Sequence, residues 1–74
     1  MTKLPRDVSG SDCVRVLGRA GFYVDRQRGS HAFLLRDDPP GAVTVPMKRR
    51  LGPGLLRAII RQARMSVEEF TALL

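Results

Sequence analysis

One cysteine, one histidine, one tyrosine and no tryptophan stand among the 74 residues. The lone Cys13 excludes an intramolecular disulfide and a cysteine-built zinc cage, and it suits a reducing compartment. Long hydrophobic runs are missing too. The longest are a few residues, far below the ~20 needed to cross a bilayer. The opening residues do not read as a secretory signal peptide, so a cytoplasmic protein with no membrane attachment is expected. No group of carboxylates, imidazoles and thiols has metal-ligand spacing. Asp37-Asp38 runs into Pro39-Pro40 and reads as a solvated turn, so no metal is expected. Glycine patterns that cradle phosphates are absent as well. Gly52-Pro53-Gly54 lacks the rest of such a loop and reads as a helix start, which leaves no cofactor to expect. Ser11 and Ser30 have no His–Asp orienting chain, and Cys13 falls on a core face rather than beside a base.

What the chain has in quantity is positive charge. Thirteen Lys and Arg oppose seven Asp and Glu, a net +6. All but Lys3 and Lys48 of the thirteen are arginine. Arginine grips phosphate with two parallel donors and stacks on bases, which lysine does poorly. The balance points toward nucleic acid, with an acidic protein partner and plain solubility as the alternatives. At 43% apolar residues the chain can form a globule, though one this short has a thin core. A single domain over residues 1–74 is expected.

Met1 to Val8 reads as an extended arm. Ser9 is placed to cap a helix, with Asp12 three residues on as a short-armed capping box, and Val8 and Cys13 as a staple across the cap. Cys13, Val16, Leu17 and Ala20 repeat at helical spacing, and Gly21 supplies the left-handed exit, predicting a helix over 10–20. Three short runs follow, at 22–28, 31–36 and 42–45. Each is rich in strand formers, and they are separated by Gly29-Ser30 and by the Asp-Pro-Gly stretch 37–41. Pro46 is expected to stop the third. Pro53 opens a second helix whose apolar face is Leu55, Leu56, Ile59, Ile60 and Ala63, with Arg57, Arg61 and Arg64 opposite. Ser66-x-x-Glu69 caps a short last helix carrying Phe70, Leu73 and Leu74. The fold class is α+β, in the order α-β-β-β-α plus a terminal helix. The strands form an antiparallel meander, and both long helices lie on one face of it. That order is like the double-stranded-RNA-binding domain, a likeness of fold that does not give function by itself.

His31 is the side chain that can exchange protons near neutrality without special help. It begins a strand just after Gly29-Ser30, with Arg26 and Arg28 upstream. A lone histidine in this position reads either as a general base or as a structural residue. Lys48, Arg49 and Arg50 precede the second helix, where cations and a helix N-terminus together suit a phosphate. The bland alternative for that run is a solvated surface.

Several pieces, taken in order, resemble the HicA family of toxins. They are Leu4-Pro5-Arg6, Ser9-Gly10, Val16-Leu17, Ala20-Gly21-Phe22 and Arg26-Gln27-Arg28-Gly29-Ser30-His31. Val43-Thr44-Val45-Pro46, the basic stretch to Arg50, Leu56-Arg57, Ile60, Gln62-Ala63 and Glu69-Phe70 continue the likeness through nearly the whole chain. The resemblance implies a double-stranded-RNA-binding-like fold, cleavage of messenger RNA that stops translation, and neutralisation by a HicB-type antitoxin. It maps the family's catalytic histidine onto His31, while Ala32 stands where many relatives carry a second histidine. The residues expected at the RNA are then Arg26, Arg28, Gly29, Ser30, Lys48, Arg49 and Arg50, with the endoribonuclease chemistry metal-independent. A non-catalytic RNA-binding module and a basic interaction protein are the alternatives.

Overall fold

The Ser-x-x-Asp pattern at residues 9–12 closes on itself in the computed structural model, which describes residues 2–74. Ser9 Oγ accepts from the Asp12 N–H at 3.0 Å and Asp12 Oδ2 accepts from the Ser9 N–H at 3.0 Å, opening helix α1 (Gly10–Arg19). Two of the helix's orphan donors are thereby satisfied. Val8 and Cys13, on either side of the cap, are both buried in the core. The helix ends one residue earlier than expected, at the C-cap Ala20, and Gly21 carries the chain out with φ +97°.

Three antiparallel strands follow in the order β1 (Tyr23–Arg28), β2 (His31–Arg36), β3 (Gly41–Pro46). Phe22, expected in the first strand, lies outside it and is buried; the Arg36 guanidinium covers its ring at 4.3 Å and donates to the carbonyls of Ala20 and Pro39. Pro46, expected to stop the third strand, instead pairs opposite His31. Met47, the next residue, donates its N–H to the Ser30 carbonyl, so the nitrogen of Pro46 faces the free edge, where no ladder bond is lost.

Alternation along the strands sorts the sheet into two faces. Ala32 and Leu34 of β2 and Val43 and Val45 of β3 are buried and share one core with Val16, Leu17, Leu56 and Ile59 of the helices. Helix α2 (Pro53–Gln62) buries Leu56, Ile59 and Ile60, and Ala63 just beyond it completes the stripe at i, i+3, i+4, i+7. Leu55, expected on that stripe, sits on its flank and is 36% exposed. Arg57, Arg61 and Arg64 are exposed. The seven-residue helix α3 (Val67–Leu73) is capped by Ser66 and Glu69 as the sequence predicts. Seven residues are too few to hold a helix alone. The fully buried Phe70 anchors it, since burying such a side chain is worth about 1.5–3 kcal/mol, more than a typical cap. Leu74 lies past its end and is exposed. No helix is long and apolar enough to cross a membrane among the described residues.

Candidate nucleic-acid interface

The opposite face of the sheet has no helix on it. Directly paired residues on neighbouring strands point to the same side, so the register defines what this face carries. His31 pairs with Arg28 on one side and Pro46 on the other; Phe33 pairs with Arg26 and Thr44; Leu35 pairs with Tyr23 and Ala42. The first two rows therefore set His31, Arg28, Arg26 and Phe33 together on one open surface. Every residue of β1 is exposed, and so is His31.

Two local features fix that arrangement. Gly29 opens the two-residue turn with φ +54°, a backbone conformation that side chains bearing a Cβ adopt only with strain. Counting back from the turn, Arg28 and Arg26 fall on the same face as His31 and Phe33. A bulge between Val24 and Arg26 then absorbs Asp25, so that Val24, not Asp25, stands opposite Leu34. Without it the Asp25 carboxylate would take the place beside the buried Leu34. Arg26 lies with its guanidinium carbon 5.0 Å from the centroid of the Phe33 ring. At the far end of the hairpin the Tyr23 hydroxyl donates to Asp37 Oδ1 at 3.1 Å, and the Asp37 carboxylate pushes the phenol's pKa up.

The basic stretch is tied to the same end of the sheet by backbone. Ser30, in the turn before His31, accepts from Met47, and the Lys48 carbonyl accepts from the Gly10 N–H at 2.8 Å. Gly10 sits so close to the end of β3 that a Cβ there would overlap the Pro46 carbonyl oxygen. Lys48 and Arg49 are exposed. Arg50 is exposed as well, and its Nε lies 2.9 Å from Asp7 Oδ1, on the wall of a cleft of about 440 Å³ between the N-terminal arm and the start of α2. Arg6 and Arg57 line that cleft too. Of the expected residues, then, Arg26, Arg28, Gly29, Ser30 and His31 form one hairpin surface, and Lys48 follows the strand beside it. Arg50 turns toward the arm.

Ala32 is 1% exposed and pairs with Val45 on the helix-covered face. Any side chain at this position starts from the core side of the strand. Phe33, two residues from His31, shares its face because strand side chains alternate with period two, a placement that the spacing in the sequence already carries. Cys13 is fully buried, and burial pushes its thiol up to about 12, which leaves it inert as a nucleophile. Among the described residues no group of three or more His, Cys, Asp or Glu side chains is placed to hold a metal ion. Several carboxylates serve other purposes: Asp12 and Glu69 in caps, Asp7 with Arg50, Asp37 with Tyr23.

Residues 10–65 match the family model described as HicA toxin of bacterial toxin–antitoxin. The matched span runs from the first turn of α1 past the end of α2 and takes in the whole sheet. No curated protein matches the chain.

Proposed function

The chain belongs to the HicA toxin family, and from that membership we propose that this toxin is an endoribonuclease acting on messenger RNA, with His31 as its catalytic base. The observation that carries the reading is the position of His31: the chain's single histidine, exposed on the open face and paired with Arg28.

In its neutral form the imidazole takes the proton of a ribose 2′-hydroxyl. The 2′-oxygen attacks the adjacent phosphorus in line, a 2′,3′-cyclic phosphate forms, and the 5′-oxygen leaves. Negative charge grows on the phosphoryl oxygens during this step. Arg28, and Lys48 beyond the end of β3, are the cations available to stabilise it. The chain has no second histidine, and the leaving oxygen takes its proton from water or from Lys48. Arg26, Gly29, Ser30, Arg49 and, beside Asp7, Arg50 complete the RNA contact surface. A HicB-type antitoxin neutralises the toxin by covering this face.

The test is cleavage of RNA by purified protein and by His31→Ala. General base catalysis contributes about 10²–10⁴-fold, so the variant should lose at least 10²-fold in rate with its circular dichroism unchanged. An RNA methylated at every 2′-oxygen should survive. Cleavage by His31→Ala at the parent's rate would remove His31 from the chemistry. RNA binding without cleavage by the parent protein would leave a binding module in place of an enzyme.

A further inference from the structure

We infer that the open sheet face takes single-stranded RNA, with one nucleobase stacked at the Phe33–Arg26 pair and its phosphate beside His31. The inference rests on the ribonuclease reading of His31 and adds to it a base subsite and a preference for unpaired strands.

The chain has four aromatic residues. Phe22 and Phe70 are spent on the core. Phe33 is not: it lies on the face that no helix covers, partly exposed, with a guanidinium 5.0 Å from its ring centroid. An aromatic ring beside an arginine plane is the surface on which unstacked bases settle, and such stacking tolerates any base because every base has a π face. Phe33 is two residues from His31 on the same strand and the same side, about 7 Å away by strand rise. One nucleotide bridges that distance, so a base at Phe33 brings its own backbone to His31 and Arg28.

Strandedness follows from shape and charge. In an A-form duplex the bases are stacked on one another inside the helix, and the major groove is too narrow for side chains to read. A base can reach a ring lying on a sheet only after leaving the stack. The ring's two charged neighbours across the strands, Arg26 directly opposite and Arg28 in the next row, are both cationic, which suits a phosphate backbone. An acidic protein would satisfy the two charges without any need of a ring at Phe33, whereas every nucleotide brings both a phosphate and a π face, so RNA is the occupant favoured.

The test uses the full chain and a short single-stranded RNA, 2′-O-methylated so that it cannot be cut, with 2-aminopurine at one position. Stacking quenches this probe's fluorescence. The parent protein should quench it, and should bind the same sequence at least ten-fold more weakly once a complementary strand is annealed. Phe33→Leu keeps an apolar side chain but has no π face. It should weaken binding about ten-fold, as expected for removal of one base stack, and abolish the quenching. Phe33→Tyr should restore both and serves as the check that position 33 tolerates replacement. Phe33→Leu with unchanged affinity and quenching would overturn the inference, as would equal affinity for duplex and single strand, or a loss confined to binding of a protein antitoxin. None of these readings depends on cleavage. If His31→Ala were to cleave RNA normally, the catalytic reading would fail while the stacking result stood.

Discussion

Gly10 and Lys48 are joined backbone to backbone: the Gly10 N–H donates to the Lys48 carbonyl at 2.8 Å, and a Cβ on Gly10 would stand 2.8 Å from the Met47 Cα. The start of α1 is thereby pinned to the segment that leads from β3 into the basic stretch. Alanine normally strengthens a helix relative to glycine, by up to about 1 kcal/mol. Here the added methyl would press on backbone atoms that cannot swing aside, and overpacking of that kind costs about 1–3 kcal/mol. Gly10→Ala should therefore lower stability in denaturant titration. Gly18→Ala in the same helix, where a Cβ would meet nothing within 4 Å, should raise it by about 0.5–1 kcal/mol. Equal and positive effects at both sites would show that the close approach at Gly10 is not a constraint.

The basic stretch should divide in its effect on RNA. For a single strand, a cation that no longer meets its phosphate flattens the slope of log K against log salt by about 0.7. Lys48→Ala and Arg49→Ala should each do so. Arg50→Ala should change the slope less, because Asp7 already holds that guanidinium at 2.9 Å. The complementary variant, Asp7→Asn, should tighten RNA binding by freeing Arg50. Slopes identical to the parent's in all four variants would reduce the stretch to a solvated run.

Acid should loosen both capped helices. The backbone and side chain of Ser9 hold the Asp12 carboxyl below its ordinary value, and those of Ser66 do the same for Glu69. A depressed folded pKa means that the unfolded chain binds more protons in this range. The stabilisation is whole above the ordinary carboxylate range near pH 4 and is lost as pH falls through the lowered folded values. Thermal melts should show stability dropping below about pH 4. Asp12→Asn and Glu69→Gln should start less stable at pH 7 and lose less on acidification. A parallel decline in parent and variants would remove the capping carboxylates from the acid response.

A HicB-type antitoxin that covers the open face should meet exposed arginines first. Association should be fast at low salt and slow as salt rises, because fields between exposed charges are screened beyond about 8–10 Å. Arg28→Ala should lower the association rate. Gly18→Ala, on the exposed side of α1 away from that face, should leave it unchanged. A complex structure with His31 and Arg28 open to solvent would defeat occlusion, leaving inhibition to act through distortion of the site.

Local chemistry made much of the fold legible. Ser9 with Asp12 and Ser66 with Glu69 reach only three residues, and both boxes form as read. Helical spacing sets the stripe of Leu56, Ile59, Ile60 and Ala63, with Leu55 left on its flank, and the turn residues on either side bound the strand His31–Arg36 as read. Boundaries slipped where a longer-range interaction decided them. Pro46 stays in the sheet because His31 and Ser30 lie opposite the end of β3, and Phe22 stays out of it with its N–H donated to the Leu17 carbonyl at the end of α1.

For the site, the chain alone supplied the ingredients: one histidine after a glycine turn, flanking arginines, and a basic run before the second helix. Those are matters of composition and short spacing. Which of them meet is a matter of register, and register depends on the partner strand. It took the folded sheet to put Arg26 opposite Phe33 and Arg28 opposite His31, to absorb Asp25 in a bulge and bury Ala32 on the far face, and it took the packed arm to turn Arg50 toward Asp7. A one-residue slip would send every strand side chain to the other side. The identity of the residues was written in the chain, but the face they share was fixed by the helices that claim the opposite one.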